Sequence, residues 1–173
     1  MERVAAAADR RSSAFDDLTS AYRRDAGLCL LEQSFGTARD TASTMAICFL
    51  DVDGLKAIND SDGHVAGDRI LGRVADVIDD HLGCEDTLLR YGGDEFVFSV
   101  LGRSAADIHQ TLAMVAAALR DCDNIAITCG IAFAHDCSTV ADAIEHADED
   151  LYRQRRALRT PSTDGTDRLP HDR

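Results

Sequence analysis

Three acidic or amide-bearing stretches carry residue types that could do chemistry. The first, Asp51-Val52-Asp53, closes the apolar run Met45-Ala46-Ile47-Cys48-Phe49-Leu50. Residues two apart on a strand point to the same side, so the two carboxylates can converge. Hard cations such as magnesium take oxygen ligands, usually one or two carboxylates completed by phosphate oxygens. The plainer alternative is a strand end turning into solvent at Gly54, where aspartate is a common turn residue. The second stretch, Asp94-Glu95, follows Gly92-Gly93 and leads directly into Phe96-Val97-Phe98. That return to apolar sequence keeps the acids beside a sheet instead of out on a long loop. The third runs from Asn59 to Asp68. An asparagine amide both donates and accepts, and an aspartate accepts from neighbouring N–H groups, which together can read a guanine edge. Asp60 and Asp62 read as a solvated loop, and Asp68 alternatively as a helix-start charge suited to the macrodipole. The EF-hand spacing and its final glutamate are absent, which excludes a calcium loop of that kind.

Lys56 is the only lysine, against seventeen arginines (18 basic residues less one). A compact ammonium can be aimed at a phosphate where a planar guanidinium cannot. Chance retention on a surface is an equally good account of this fact taken alone.

These groups need elements to hold them. The run from Met45 to Leu50 reads as a central strand buried on both faces. Leu28, Leu31 and Phe35 recur at helical spacing between Arg24 and Arg39, and Ile70, Leu71, Val74, Val77 and Ile78 make one stripe between Asp68 and His81. Thr87–Tyr91 and Phe96–Leu101 flank a Gly-Gly turn, a hairpin signal. Ser104 with Asp107 resembles a capping box opening a helix with Ile108, Leu112, Val115 and Leu119 inward. Ile125–Phe133 reads as a strand, and Thr139 with Asp142 caps a last helix striped by Val140, Ile144, Ala147 and Leu151. The expected architecture is α/β (α+β): a mixed, mainly antiparallel central sheet flanked by helices, packed against one of its faces.

Bulk properties narrow the function classes. The chain has 173 residues, 45% hydrophobic and 28% charged, which suits one globular domain. Its net charge, 18 minus 31, is −13, which argues against nucleic-acid binding. No apolar run approaches the roughly 20 residues that span a bilayer, so no membrane insertion is expected and the chain reads as cytoplasmic. Six cysteines, at 29, 48, 84, 122, 129 and 137, form no CxxC pair and read as buried reduced thiols. Residues 1–15 read as a helical linker or signalling-helix remnant, 16–159 as the domain, and 160–173, which hold both prolines, as a disordered tail.

Taken together, the motifs resemble the GGDEF family of diguanylate cyclases. Asp51-Val52-Asp53-Gly54-Leu55-Lys56-Ala57-Ile58-Asn59-Asp60 is similar to the family's DxDxFKxxND segment. Gly63-His64-Val65-Ala66-Gly67-Asp68 is similar to its GHxxGD, and Arg90-Tyr91-Gly92-Gly93-Asp94-Glu95-Phe96 reproduces RYGGDEF. Asp16-Asp17-Leu18-Thr19 resembles its leading DxLT. The matches run in family order from about residue 16 to 159. The resemblance implies a nucleotide-cyclase-like palm that condenses two GTP molecules into cyclic di-GMP and pyrophosphate. It implies two magnesium (or manganese) ions per site, held by the Asp51 and Asp94 carboxylates and the Val52 carbonyl. Glu95 would be a further metal contact or catalytic acid. Asn59 and Asp68 would grip guanine, Gly92 and Gly93 would border the substrate, and Lys56 would approach the phosphates. Arg155 stands where the family has a phosphate-binding lysine, and Arg159 where it has a phosphate-binding arginine. A cationic helix C-terminus accounts for both arginines as well. A second copy of the chain must supply the other GTP, and an upstream sensory domain or separate regulator is implied.

Departures from the family pattern carry their own expectations. The inhibitory RxxD reads Gly83-Cys84-Glu85-Asp86 here, without its arginine, so no feedback site of the usual kind is expected. Ser20-Ala21-Tyr22-Arg23-Arg24 departs from the leading turn, and Leu158 and Thr160 replace Gly and Asn in the last helix. The alternative to a cyclase is a GGDEF module that binds GTP or cyclic di-GMP and regulates a partner. The intact hairpin favours the enzyme.

Overall fold

The computed structural model describes residues 14–159. Five strands form one sheet: β1 (Tyr22–Arg23), β2 (Met45–Val52), β3 (Leu88–Arg90), β4 (Glu95–Leu101) and β5 (Ile127–Phe133). Their spatial order is β1-β3-β4-β2-β5. Only β1 with β3 is parallel, so the sheet is mixed and mainly antiparallel. The helices are α1 (Arg24–Thr41), α2 (Leu55–Asp62), α3 (His64–Asp79), α4 (Ala105–Asp123) and α5 (Val140–Arg159).

The composition of β2 dictates the layering. Ala46, Cys48, Leu50 and Val52 belong to one apolar cluster, which includes Leu71, Val74 and Ile78 of α3 and Ile108, Val115 and Leu119 of α4. Met45, Ile47 and Phe49 belong to the other, with Leu31 and Phe35 of α1 and Ala143, Ile144, Ala147 and Leu151 of α5. Burying each large apolar side chain is worth about 1.5–3 kcal/mol, so neither face of β2 can stay wet. Helices therefore cover both faces of the sheet. This corrects the expectation that they gather on one.

Local capping signals account for the starts of α4 and α5. Asp107 N donates to Ser104 Oγ at 3.2 Å and Ser104 N to Asp107 Oδ2 at 3.3 Å, a complete capping box for α4. At the start of α5, Asp142 N donates to Thr139 Oγ1 at 3.1 Å. Asp60 and Asp62, expected in a solvated loop, are exposed but helical: the stretch from Asn59 to Asp68 belongs to two helices broken only at Gly63, whose φ is +85°. Its helicity was hidden because α2 buries Leu55 alone and so has no stripe. Since α3 begins at His64, Asp68 lies in its second turn and is not a first-turn charge. The cysteine expectation also needs correction. All six are free, but only Cys48 is buried, while Cys29, Cys84 and Cys122 fall on outward positions of helices and a loop. Ala14 and Phe15 are not helical; Phe15 bridges to Tyr22 and stacks on its ring. The linker and tail readings otherwise concern residues outside those described. No helix among the described residues is long and apolar enough to cross a membrane.

Two ties fix the geometry around the polar end of β2. First, α5 lies directly against β5. A Cβ on Gly130 would collide with the backbone of Ala147 and Leu151, and Ile131 N donates to Asp150 Oδ2 at 3.1 Å. Burial alone would raise the Asp150 pKa, but that backbone bond, with Gln154 and Arg153, pulls it below the ordinary value. Second, Arg90 spans two segments. It donates to Gly93 O at 2.7 Å and to Asp16 Oδ1 at 3.1 Å, bracing the hairpin against the leading turn. Thr19 N and Oγ1 bond the same Asp16 oxygen at 3.0 and 2.8 Å. Burial opposes ionisation of Asp16, yet the Thr19 bonds and Arg90 outweigh it and hold its pKa down.

Gly130→Ala is expected to lose about 1–3 kcal/mol of stability through forced overpacking, read from urea denaturation midpoints. For Asp16→Asn the expected loss is about 1–2 kcal/mol at neutral pH, discounted for partial exposure. A depressed folded-state pKa stabilises above the unfolded value and ceases to do so as pH falls through the folded one. The gap between wild type and variant should therefore be constant near neutrality and close below about pH 4, which denaturation at several pH values measures.

Candidate active site

The acidic edge is assembled from three neighbouring strands. Asp51, the seventh residue of β2, lies in register opposite Glu95 on β4 and Thr128 on β5. The hairpin between β3 and β4 is stitched to the same place, since Val52 N donates to Asp94 O at 3.1 Å. Tyr91 N and Gly92 N both donate to Glu95 O, at 2.8 and 3.2 Å, which closes the turn. Neither Gly92 nor Gly93 has a positive φ. Glycine at position 92 leaves room for the Glu95 carboxylate as it is placed here, since a Cβ would meet its Oε2. Neither glycine thus serves a left-handed turn, and only the one at position 92 has a close neighbour, the Glu95 side chain; a Cβ on Gly93 would meet open space.

Arg155 enters this edge from α5. One nitrogen, Nη2, donates to Asp51 Oδ1 and also to Asp53 Oδ1 at 2.9 Å. Thr128 Oγ1 donates to the other Asp53 oxygen at 2.8 Å. Burial pushes Asp51 above the ordinary carboxylate value against the pull of Arg155, and Asp94 and Asp53 add to the rise. Glu95 is raised by burial first, then by Asp51, Asp94 and Asp148. Four carboxylates thus crowd one sheet edge, and two of them resist ionisation, first through burial and then through the nearness of the others. An all-oxygen donor set under mutual repulsion suits a hard divalent cation. The Arg155 guanidinium already stands in as a cation between two of them. Among the described residues, no three side chains are already gathered closely enough to cage a metal. Magnesium does not require this, because it keeps waters and binds through one or two carboxylates plus phosphate.

The remaining expected residues sit around that edge. Asn59 is half-buried on α2, with its Oδ1 buried and lacking a donor. Gly67 of α3 packs against that amide so closely that a Cβ would strike Oδ1. Asp68, next in sequence, is exposed. Lys56, second in α2, is also exposed, just past Gly54 at φ +74°. Arg159 is the last residue of α5, and its side chain is outside those described. A cavity of about 500 Å³ adjoins the hairpin, lined by Arg24, Phe49, Tyr91, Glu95 and Asp148 among others. Arg24 lies 4.0 Å above the Tyr91 ring and donates to its hydroxyl at 2.8 Å. A cavity of about 710 Å³ lies elsewhere, between α2, α3 and the end of α4, and none of the four carboxylates lines it.

Asp53 converges with Asp51, as their two-residue spacing predicts, and shares Arg155 with it. Two further contributors, Thr128 and Arg90, were not expected. Thr128 orients Asp53, and only the strand register reveals it. Arg90 braces the hairpin through Gly93 O; its place in the RYGGDEF segment was the available signal. Asp86 has a different part. Its side chain is 3% exposed, and its carboxylate accepts from Gly83 N at 2.7 Å, Leu101 N at 2.8 Å and Arg103 Nη2 at 2.9 Å. Here it is an internal brace.

Residues 13–161 match the diguanylate cyclase GGDEF domain. The chain is 33% identical to diguanylate cyclase DgcP of Pseudomonas aeruginosa, over 87% of this chain and 24% of that protein. It is 35% identical to cyclic di-GMP phosphodiesterase PdeB of Shewanella oneidensis, over 69% of this chain and 14% of that one. It therefore spans less than a quarter of either relative. Among solved structures, the coiled coil and GGDEF domain of DgcB from Caulobacter crescentus, in complex with c-di-GMP, superposes with a TM-score of 0.84 at 25% identity. That match covers 90% of this chain and 87% of that one. A microbial GGDEF domain studied with cyclic di-GMP gives 0.78 at 30% identity, covering 84% and 94%. On the breadth of these matches, the chain belongs to the GGDEF domain family.

Proposed function

We propose that this domain is a diguanylate cyclase, condensing two GTP molecules into cyclic di-GMP and pyrophosphate at a site shared by two protomers. The observation that carries this reading is the convergence of Asp51, Asp53, Asp94 and Glu95 on one sheet edge, with Arg155 between two of them. Asp51 and Asp94, with the Val52 carbonyl and Glu95, would hold two magnesium or manganese ions. Such ions would neutralise the phosphates and acidify the attacking 3′-hydroxyl. The chain's own groups do the rest. Asn59, with its unsatisfied amide oxygen, and Asp68 present hydrogen-bonding groups to a guanine. Lys56, Arg155 and Arg159 supply cations for phosphate oxygens, and Gly92 leaves Glu95 room at the hairpin. Charge stabilisation by fixed groups is the main protein contribution in such chemistry. One domain offers one such edge, so a second copy must present the other nucleotide. Free cysteines and the nucleotide substrate fit a cytoplasmic setting, with a sensory domain or separate regulator supplying the input.

Incubation with magnesium and GTP should yield cyclic di-GMP, at a specific rate that rises with protein concentration as copies pair. Asp94→Ala should reduce product at least a hundredfold while leaving the thermal midpoint nearly unchanged. GTP binding without turnover by the wild type would select a regulatory module instead. Gly67→Ala tests the recognition half separately. Displacing the Asn59 amide should raise the KM for GTP about tenfold, with a smaller change in kcat, on the usual scale for losing one or two hydrogen bonds. An unchanged KM in a folded variant would remove Asn59 from nucleotide recognition.

A further inference from the structure

The position of Arg155 carries a consequence for how the site is loaded. The same guanidinium nitrogen bonds Asp51 and Asp53 on one side of β2. It lies between carboxylates that, on the reading above, border the cation site. The contact is built in. Asp150, five residues earlier on α5, is pinned to β5 through Ile131 N, and the bare backbone of Gly130 lets the helix lie close. Asp53 is held from its other oxygen by Thr128. The arginine is only 28% exposed and the Asp51 side chain 15%. A magnesium ion sits about 2.0–2.1 Å from its oxygens, and at Asp51 its two charges would repel the guanidinium held on that carboxylate.

We infer that Arg155 and a divalent cation compete for Asp51, so that a metal bound there releases the arginine from Asp51 and Asp53. This rests on the proposed cation site and adds an order to it. While it bonds the two aspartates, Arg155 cannot serve a phosphate, and metal entry frees it to do so. Coupling of this kind is reciprocal, so weakening the arginine's hold must tighten the metal's.

Manganese titration without nucleotide, followed by electron paramagnetic resonance of the free ion, reads the exchange directly. The series is wild type, Arg155→Gln, Arg155→Ala, Arg153→Ala and Asp51→Asn. Arg153, on the same helix and paired with Asp150, controls for general loss of positive charge. The expected result is at least fivefold tighter manganese binding for the Arg155 variants, a change under twofold for Arg153→Ala, and loss of the site in Asp51→Asn. Manganese should also raise the thermal midpoint of Arg155→Gln more than that of wild type. Unchanged or weaker binding in folded Arg155 variants, or equal tightening in Arg153→Ala, overturns the exchange while leaving the cation site standing. Absence of saturable binding in every variant overturns both.

Discussion

A strand buried on both faces can carry charge only at its ends. β2 obeys this constraint strictly: from Met45 to Leu50 every side chain is enclosed, and Asp51 is the first position where a carboxylate reaches the edge of the core. The strand on either side of it is fixed by register, so whatever faces Asp51 is fixed too, namely Glu95 on β4 and Thr128 on β5. Two helical layers are then needed to seal the two faces, and the layer containing α5 delivers Arg155 to the same edge. The acidic site is in this sense the polar terminus of the hydrophobic core.

Much of this was legible in the residues. The double burial of β2, the stripes of α3 and α5, the capping box at Ser104 and the hairpin all follow from local periodicity and side-chain chemistry. The ordered motifs pointed to the family and to the carboxylates. What escaped was of two kinds. Some elements leave too weak a trace: α2 buries one large side chain, and β1 is two residues paired to a distant strand. Other features depend on contacts between segments far apart in sequence. No local pattern tells that Arg155 reaches Asp51 and Asp53 about a hundred residues earlier, or that Asp86 is internally saturated. The double burial of β2, by contrast, itself requires a helical layer on each face.

The hairpin illustrates how a correct signal can have a different cause. Gly-Gly between apolar runs indicated a turn, and a turn is present. Its glycines do not adopt left-handed backbone, and the one at position 92 leaves space for a carboxylate. The turn's shape is held instead by Glu95 O, which accepts two backbone bonds, and by Arg90, which ties Gly93 to the leading segment. Arg90 does this with its own Nε buried and unpartnered, a cost consistent with its position being dictated by the groups it joins.

Gly130 has no polar side chain and touches none of the carboxylates, yet the seat of α5 depends on it. If the domain is the cyclase proposed, a survey of substitutions scored by product formation alone would group this glycine with Asp51 and Asp94. Its failures would come from a helix held off its strand, with Arg155 carried out of reach, and not from any missing chemical group. Sequence positions in this domain that behave as catalytic in such a survey therefore fall into two classes, chemical and positional, and only a parallel readout of folding separates them.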